Sequence, residues 1–293
     1  MNKKIVVIGK TGQVGRALMD NASLFGFDAV GLSRQDLDIT DTKRAREIIG
    51  ELRPDILINT AAYHVLPECE AHPEMALEVN AAAVGKMAAL CRDVGAKFVT
   101  FSTDYVFDGR SSLPYQEDAP PKPLQWYGLS KRAGEEAANA LYPEGSFIIR
   151  TCGVYGGAEG SRSRKGNFVL RMLEEARKVG KLEVARNQIA SPTYAEDLSQ
   201  AVLALLSLNG IKAGIYHLVN EGYCSWYEFT KEIFSVYGIN KEVVPVDRGN
   251  YDGIMQRPQF TALENTKAKA LGVSLPSWQD ALRRYRYKYN ENG

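Results

Sequence analysis

The feature that most constrains this sequence is a set of three evenly spaced glycines between a short apolar run and a helical pattern. Residues 5–8 are apolar at every position, as in a strand that is buried on both faces of a parallel sheet. The run ends at Gly9, and Gly12 and Gly15 follow at intervals of three. A strand that passes through a tight turn directly into a helix begins a β-α-β unit, so we expect a parallel sheet.

The same alternation continues to about residue 150. Further apolar runs predict strands at residues 28–32, 56–59, 98–101 and 147–150. Helical patterns between them predict helices at residues 16–22, 42–52, 74–94 and 127–141. The predicted fold class is therefore α/β, a Rossmann-type doubly wound parallel sheet. A smaller C-terminal α/β lobe follows, in which strands and helices no longer alternate regularly.

Composition excludes several classes of function. The formal net charge of +1 gives no electrostatic basis for binding nucleic acid or an acidic membrane, and no apolar run approaches the ~20 residues needed to cross a bilayer. The four cysteines are widely spaced without a CxxC pair, and the three histidines lack metal-ligand spacing. We expect a soluble, cytoplasmic protein, monomer or homodimer, with reduced thiols, no metal, and neither nucleic acid nor membrane as a partner.

The glycine loop predicts a dinucleotide site. Gly9 permits a tight turn, Gly12 lets the backbone approach a pyrophosphate at the positive end of the following helix, and Gly15 permits close packing of that helix on the sheet. The spacing is GxxGxxG, the variant found in short-chain dehydrogenases. The loop residues predicted to bind the cofactor are Gly9, Thr11, Gly12, Gln13, Val14 and Gly15.

The end of the second predicted strand indicates which dinucleotide binds. An acidic residue there would bind the ribose 2′-hydroxyl, but this chain has Ser33 and Arg34, and an arginine fork suits a 2′-phosphate. NADP(H) is therefore the preferred cofactor and NAD(H) the alternative, with a solvated surface role for Arg34 left open. Asp38 and Ile39 are candidates for the adenine edge, and an ordinary helix N-cap is the other interpretation of Asp38. Cofactor contacts are also predicted after the third strand, from Thr60, Ala61 and Ala62.

A second motif predicts the chemistry. Tyr127 and Lys131 stand four residues apart in a predicted helix, so their side chains share one face. An ammonium beside a phenol lowers the phenol pKa, so Tyr127 can donate a proton to a carbonyl oxygen while hydride reaches the carbon. Thr103, at the end of the fourth predicted strand, is the hydroxyl expected to polarise that carbonyl. Ser102 is the alternative for that role. Tyr127 and Lys131 are expected to contact the cofactor as well.

The order of these motifs resembles that of the extended short-chain dehydrogenase/reductases, and more narrowly that of the dTDP-4-dehydrorhamnose reductase family. The resemblance runs along nearly the whole chain, and its most telling part is Ser-Thr-Asp-Tyr-Val-Phe at residues 102–107. Its other carriers include the glycine loop, Leu37-Asp-Ile-Thr-Asp41, Asn59-Thr-Ala-Ala-Tyr63, Tyr127-Gly-Leu-Ser-Lys131, Arg150, Val154-Tyr-Gly156, Asn167-Phe168, Pro192-Thr193, Tyr216-His-Leu218 and Arg257-Pro258.

The resemblance implies an NAD(P)H-dependent oxidoreductase of cell-surface polysaccharide synthesis. Its expected reaction is reduction of the 4-keto group of a nucleotide-activated 6-deoxy sugar, most specifically dTDP-4-dehydro-L-rhamnose to dTDP-L-rhamnose. It assigns catalysis to Thr103, Tyr127 and Lys131. It makes residues 1–156 the NAD(P)-binding Rossmann domain and residues 157–293 mainly a substrate-binding lobe, with about 186–220 returning to the Rossmann core. The implied substrate contacts are Thr103, Asp104, Tyr105, Val154, Asn167, Trp226 and Arg257.

Three features depart from the family pattern. Leu66-Pro67 stands where the loop after the third strand usually carries Val-Asp, which leaves the sugar open. Arg16 follows the loop where some members have a glutamate that helps to hold a dimer-bridging magnesium, so no metal is predicted. The basic insert at residues 161–165 is either a diphosphate clamp or a solvated loop. The alternatives are a sister 4-ketoreductase, an epimerase on another sugar nucleotide, and a non-catalytic regulatory subunit of the methionine adenosyltransferase type.

Overall fold

The computed structural model describes residues 2–158, 166–249, 251–252 and 255–290, so the basic insert predicted at 161–165 lies outside the described residues. The strands are β1 (Lys3–Ile8), β2 (Phe27–Leu32), β3 (Ile56–Asn59), β4 (Lys97–Thr103), β5 (Ser146–Thr151), β6 (Val154–Tyr155), β7 (Lys181–Ala185), β8 (Ile189–Ala190), β9 (Thr193–Tyr194), β10 (Gly214–His217), β11 (Cys224–Ser225), β12 (Glu242–Val246), β13 (Tyr251–Asp252) and β14 (Met255–Gln256).

The α-helices are α1 (Gln13–Asn21), α2 (Thr42–Leu52), α3 (Leu66–Ala71), α4 (Pro73–Leu77), α5 (Ala83–Val94), α6 (Trp126–Leu141), α7 (Phe168–Lys178), α8 (Ala195–Ser207), α9 (Trp226–Tyr237), α10 (Thr266–Ala270) and α11 (Trp278–Asn290). Two 3₁₀ turns, Ala22–Phe25 and Asp104–Val106, and a π turn, Glu78–Ala82, lie between them. Among the described residues, no helix is both long enough and apolar enough to cross a membrane.

Six strands form one sheet in the order β2-β1-β3-β4-β5-β10, and each neighbouring pair is parallel. The order reverses beside β1, because β2 lies on one side of it and β3 on the other. A crevice opens at the carboxyl ends of the strands at such a reversal, which is where α/β sheets bind their ligands. The predicted α/β fold with a doubly wound parallel sheet is confirmed.

The burial of β1 explains why its sequence lacks alternation. Ile5 and Val7 face one apolar core, which they share with residues of α1 and α8. Val6 and Ile8 face a second core, which they share with residues of α2 and α5. All four side chains are buried, so both faces of the strand need apolar residues.

The helix predicted at residues 74–94 is interrupted. It consists of α4, the π turn and α5 in succession. The preceding helix α3 was not predicted, although Pro67 stands in its first turn, where the missing amide hydrogen costs nothing. The π turn holds the buried Asn80, whose contacts are described below.

The C-terminal half builds a third apolar core and also returns to the sheet. Helices α7, α9 and α11 pack around apolar side chains that include Phe229, Ile233 and Leu282. Strand β12 pairs in parallel with β7, and it was not predicted because Pro245 interrupts its apolar pattern. Strand β10 joins the main sheet beside β5, and α8 packs on α1. The division into two lobes at residue 156 stays a prediction.

Candidate active site

The glycine loop leaves β1 at the crevice and enters α1. Gly9 has φ of +87°, and the amide hydrogens of Gly9 and Lys10 are donated to the Leu32 carbonyl at the end of β2. A Cβ on Gly9 would lie 2.4 Å from Thr60 Oγ1, and one on Gly15 would lie 2.1 Å from the Gly9 carbonyl oxygen. Gly15 therefore lets α1 pack on its own loop, where packing on the sheet was predicted.

Gly12 differs from the other two loop glycines. Its backbone is extended, with φ of −77°, and the nearest atom to an added Cβ would be the Gly9 carbonyl oxygen at 3.4 Å. The protein therefore leaves room for a side chain at Gly12, and the space above it suits a ligand. Gly12 is also the N-cap of α1, without a side-chain cap, and the first turn carries no acidic residue. Such a helix end favours an anion, so the loop fits the pyrophosphate of a dinucleotide.

The segment after β2 is rich in charge. Arg34 pairs with Asp38, with Nε 3.1 Å from Oδ2, and 87% of its side chain is exposed. Lys10 Nζ lies 3.3 Å from Asp36 Oδ2, and Ser33 donates its hydroxyl to the same carboxylate at 2.7 Å. Hydrogen bonds from Ser33 lower the Asp36 pKa to about 2. Lys10 is a second cation here that the sequence analysis missed.

Two further predictions concern this segment. The interpretation of Asp38 as a helix cap is wrong, because Asp41 accepts from the Arg44 amide and caps α2. Asp38 instead accepts from the amide and hydroxyl of Thr40. The Ile39 side chain is buried in the core beneath α2. Contact between the cofactor and Asp38 or Ile39 stays a prediction.

The loop after β3 is fixed to the glycine loop. Thr60 donates its hydroxyl to the carbonyls of Ile8 and Gly9, at 2.8 and 3.3 Å. The Ala61 amide donates to Asn59 Oδ1 at 3.1 Å, and the Ala62 carbonyl lies 3.3 Å from His64 Nδ1. Thr60 and Ala61 thus lie beside Gly9 of the glycine loop. Contact of Thr60, Ala61 and Ala62 with the cofactor stays a prediction.

Asn80, in the π turn, holds this region to α6. Its amide accepts from the Tyr63 amide and donates to the Tyr63 carbonyl and to Ser130 Oγ, at 2.9, 2.8 and 3.0 Å. Gly134 permits the approach, because a Cβ there would lie 2.1 Å from the Asn80 carbonyl oxygen. The π turn therefore positions the third-strand loop against the helix that carries Tyr127. A local sequence pattern gives no signal for this contact.

Helix α6 presents the Tyr-Lys pair. Gln125 caps it by accepting from the Gly128 amide at 2.8 Å, and a Cβ on Gly128 would lie 2.1 Å from the Tyr105 carbonyl oxygen. The first turn of α6 is thus pressed onto the turn after β4, with the Tyr105 and Tyr127 rings 6.1 Å apart, edge to face. Lys131 is 5% exposed. Burial lowers its pKa to about 8, although Glu135 opposes that shift.

Lys131 should reduce the stability of the fold. A lysine whose folded pKa of about 8 lies below its ordinary 10.5 costs roughly 3 kcal/mol when it is charged, in full below pH 8 and not at all above pH 10.5. We expect Lys131→Met to raise the free energy of unfolding at pH 7 by a large part of that amount, as measured in urea. Lys86→Met, at an exposed position of α5, is the control and should change little. A less stable Lys131→Met protein would contradict the expectation.

The two hydroxyls at the end of β4 point to different partners. Ser102 lies beside Arg150 in the sheet register and donates its hydroxyl to Glu135 Oε1 at 2.5 Å. Thr103 Oγ1 lies 3.0 Å from Asp104 Oδ1, within hydrogen-bond distance, and accepts from the Tyr105 amide at 3.2 Å. Ser102 is therefore committed to a buried network below α6. Thr103, at the strand end, keeps its position as the candidate hydroxyl.

That network is a buried ion pair. Arg150 Nε and Nη2 donate to the two carboxylate oxygens of Glu135 at 2.8 and 2.7 Å, and both side chains are 1% exposed. Arg132 adds a third cationic contact at 2.9 Å. Glu135 lies one turn beyond Lys131 on α6, so the pair fixes the catalytic helix to β5 and, through Ser102, to β4. The sequence analysis assigned no role to Glu135.

The predicted substrate contacts fall into two groups. Tyr105 accepts from Arg257 Nη1 at 3.1 Å, which brings Arg257 beside the Tyr105–Tyr127 ring pair. Burial raises the Tyr105 pKa to about 12. The Trp226 ring packs against Phe168, with centroids 4.5 Å apart and planes tilted by 35°, and a Cβ on Gly153 would lie 3.2 Å from the Trp226 ring. Val154 lies next to that glycine in β6 and is half-buried.

Asn167 and Asp104 are held by protein contacts. Asn167 caps α7 through its Oδ1, and its Nδ2 donates to Gln13, Tyr285 and the Gly156 carbonyl at 3.3, 3.2 and 3.4 Å. It thus joins the glycine loop to the C-terminal lobe. The Asp104 carboxyl is turned into the protein and is 3% exposed. Substrate contact by either residue stays a prediction.

No cluster of three or more His, Cys, Asp and Glu side chains suited to a metal occurs in the described part of the chain. Arg16, where some relatives were expected to carry a metal-binding glutamate, lines a small surface cleft with Asp20 and Glu196. A guanidinium at this position disfavours a divalent cation.

The family model described as RmlD substrate binding domain matches residues 3–290. The chain belongs to that family. The spore coat polysaccharide biosynthesis protein SpsK of Bacillus subtilis is 37% identical over 282 residues, which is 96% of each chain.

Solved structures resemble the RmlD-family chain over its whole length. The dTDP-4-dehydrorhamnose reductase of Clostridium acetobutylicum is 31% identical with a TM-score of 0.90, covering 98% of this chain and 99% of its own. The enzyme of the same name from Bacillus anthracis, solved in complex with NADP, is 32% identical with a TM-score of 0.89 and covers 98% and 100%.

Proposed function

We propose that this chain is an NADPH-dependent reductase of the 4-keto group of a nucleotide-activated 6-deoxy sugar, most specifically of dTDP-4-dehydro-L-rhamnose. One observation carries the proposal: Tyr127 and the buried Lys131 lie on α6, whose first turn is pressed against the β4 end that carries Thr103. The names of the Clostridium and Bacillus anthracis relatives, and the NADP in the latter, support the same substrate and cofactor.

Each residue has a definite task in this reaction. Bound NADPH supplies the hydride to the ketone carbon. Tyr127 donates its phenol proton to the ketone oxygen, and Lys131 stabilises the resulting phenolate. Thr103 donates a hydrogen bond to the same oxygen and so favours the charge that develops on it. Because the Lys131 pKa is about 8, most of these side chains carry the positive charge at neutral pH.

The substrate-side residues suit an anionic sugar nucleotide. Arg257 supplies a planar cation for phosphate oxygens, and Tyr105 holds it in place through a hydrogen bond of 3.1 Å. Trp226 offers an aromatic face at the start of α9, above Gly153. We propose a monomer or homodimer for the active protein.

A panel of nucleotide 4-keto sugars tests the substrate. Each is incubated with NADPH or NADH, oxidation of the cofactor is followed by absorbance, and products are identified by NMR. We expect dTDP-4-dehydro-L-rhamnose to give dTDP-L-rhamnose with the highest kcat/KM. A talose-type product would instead indicate a sister ketoreductase, and conversion without cofactor oxidation an epimerase. The absence of turnover on every sugar would favour a non-catalytic subunit.

Arg34→Ala tests the preference for NADP(H). Arg34 is exposed at the end of β2, where a 2′-phosphate would lie, and a lost charge-assisted hydrogen bond costs roughly 1.5–3 kcal/mol. We therefore expect the KM for NADPH to rise at least tenfold (roughly 1.4 kcal/mol) while the KM for NADH changes little. Arg44→Ala is a matched control, because Arg44 forms a similar surface ion pair with Glu47. Equal losses for both cofactors would refute the assignment.

A further inference from the structure

The Asp104 carboxyl lies directly behind the catalytic hydroxyl. Its Oδ1 is 3.0 Å from Thr103 Oγ1, which also accepts the Tyr105 amide hydrogen at 3.2 Å. Asp104 is 3% exposed, so bulk water does not compete for this contact. The Thr103 hydroxyl can therefore form hydrogen bonds with Tyr105, with Asp104 and with a ligand in the crevice.

Thr103 has a single hydroxyl proton, and the protonation state of Asp104 decides where that proton points. A threonine hydroxyl has one proton to donate and two lone pairs that accept, whereas a ketone oxygen only accepts. If Asp104 is an ionised carboxylate, Thr103 must donate to it and has no proton left for the ketone. If Asp104 is a neutral carboxylic acid, its O–H donates to Thr103. Both lone pairs of Thr103 are then occupied, and its own proton is free to point into the crevice.

The other contacts of Asp104 fix where its proton would lie. Cys152 Sγ, in the turn after β5, lies 3.0 Å from Oδ2. Burial raises the Cys152 pKa well above its ordinary value, so this group remains a thiol and donates. Thr261, beyond β14, also hydrogen-bonds to the carboxyl. Because Oδ2 accepts from the thiol, the proton of a neutral Asp104 would lie on Oδ1, which faces Thr103.

The surroundings of Asp104 favour the neutral acid. Its partners Thr103, Cys152 and Thr261 are all uncharged, and no described lysine, arginine or histidine lies within salt-bridge distance of it. The charged group on the far side of Tyr105 is Arg257, whose guanidinium reaches the phenol oxygen at 3.1 Å. Burial raises the pKa of the Asp104 carboxyl, although the hydrogen bonds from Thr261, Cys152, Thr103 and its own backbone amide oppose that shift.

We propose that Asp104 is a positioning residue that acts as a neutral carboxylic acid, donating to Thr103 Oγ1 and thereby turning the Thr103 O–H towards the substrate ketone. The proposal rests on the reductase function proposed above, because it concerns the direction of one hydrogen bond in that reaction. It also explains how a threonine beside a carboxyl group can serve as a donor.

Asp104→Asn tests this directly. The asparagine carbonyl would accept from Cys152, and its amide group would donate to Thr103, as the neutral acid does. We expect Thr103→Val to lower kcat about a hundredfold. Asp104→Asn keeps a donor to Thr103, so we expect it to lower kcat far less than Thr103→Val does. Asp108→Asn, four residues further along, is the control for the same substitution outside the cluster. An Asp104→Asn protein as slow as Thr103→Val would overturn the proposal.

Infrared spectroscopy gives a measurement that does not depend on turnover. The wild-type protein at neutral pH should show the carbonyl stretch of a protonated carboxylic acid, and Asp104→Asn should lack it while Asp108→Asn keeps it. Cys152→Ser should shift the band, because a hydroxyl is a stronger donor to Oδ2 than a thiol. A wild-type spectrum without the band overturns the proposal, whatever the variants do. If the band is present but no sugar is reduced, the reductase function has failed while the protonation of Asp104 stands.

Discussion

Replacing Tyr127 with phenylalanine is expected to lower kcat for ketone reduction by about two to four orders of magnitude, the usual effect of removing a general acid. The phenol is the group that supplies the proton, and Phe keeps the ring that packs edge to face on Tyr105. Binding of NADPH, followed by fluorescence titration, should therefore survive the change. Stopped-flow measurement of cofactor oxidation at saturating substrate gives kcat.

Tyr105→Phe is the matched control for this experiment. It removes a phenol hydroxyl from the neighbouring ring, and that hydroxyl serves Arg257. We expect its main effect on the KM for the sugar nucleotide, with a much smaller loss in kcat. If Tyr127→Phe turned over at nearly the wild-type rate, the phenol would not be the proton donor and the assignment would fail.

Arg150→Met should be the most destabilising of the substitutions considered for this chain. It leaves the buried Glu135 carboxylate without its two shortest cationic hydrogen bonds, and breaking a buried pair in this way typically costs about 3–5 kcal/mol. Urea unfolding at pH 7 measures the loss. The partial contact of Glu135 with Arg132 remains, so the loss should stay within this range.

The double variant Arg150→Met with Glu135→Leu separates the charge effect from packing. It removes both buried charges, so it should recover most of the lost stability. Burial alone would raise the Glu135 pKa, but the Arg150 guanidinium outweighs it and holds the pKa below 4.5. The stability from the pair is thus complete at neutral pH and is lost as the pH falls below about 4.5. A double variant as unstable as Arg150→Met would show that shape, rather than charge, holds this region together.

The sequence predicted the parts of this molecule that depend on neighbouring residues. Strand β3 and helix α2 lie at the predicted residues, because apolar runs and a terminating Pro54 are local signals. The order of the glycine loop, Thr103 and the Tyr-Lys pair predicted both the parallel α/β fold and the reduction of a ketone. That order places all three at one edge of a parallel sheet, whatever the loops do.

Contacts between residues that are far apart in the sequence have no local sequence pattern that predicts them. Ser102, Glu135 and Arg150 are separated by 33 and 15 residues along the chain, and only the register of β4 on β5 and the placement of α6 bring them together. Asn80 sits in an alanine-rich stretch that reads as uninterrupted helix, although its side chain needs the π turn to reach Tyr63. Asn167 was expected to contact the substrate. In the structure its Oδ1 caps α7 and its Nδ2 donates to Gln13.

The late return of the chain to its main sheet has a consequence for biosynthesis. Strand β5 pairs on one side with β4. Its other side pairs with β10, which is synthesised about sixty residues later. A chain that stops before residue 195 lacks both α8 and β10, so it would present a bare β5 edge and an uncovered apolar surface on α1, both of which promote self-association. Strands β1 to β5 therefore lack their full cover until the chain has been made through β10, and fragments that stop near residue 156 should aggregate.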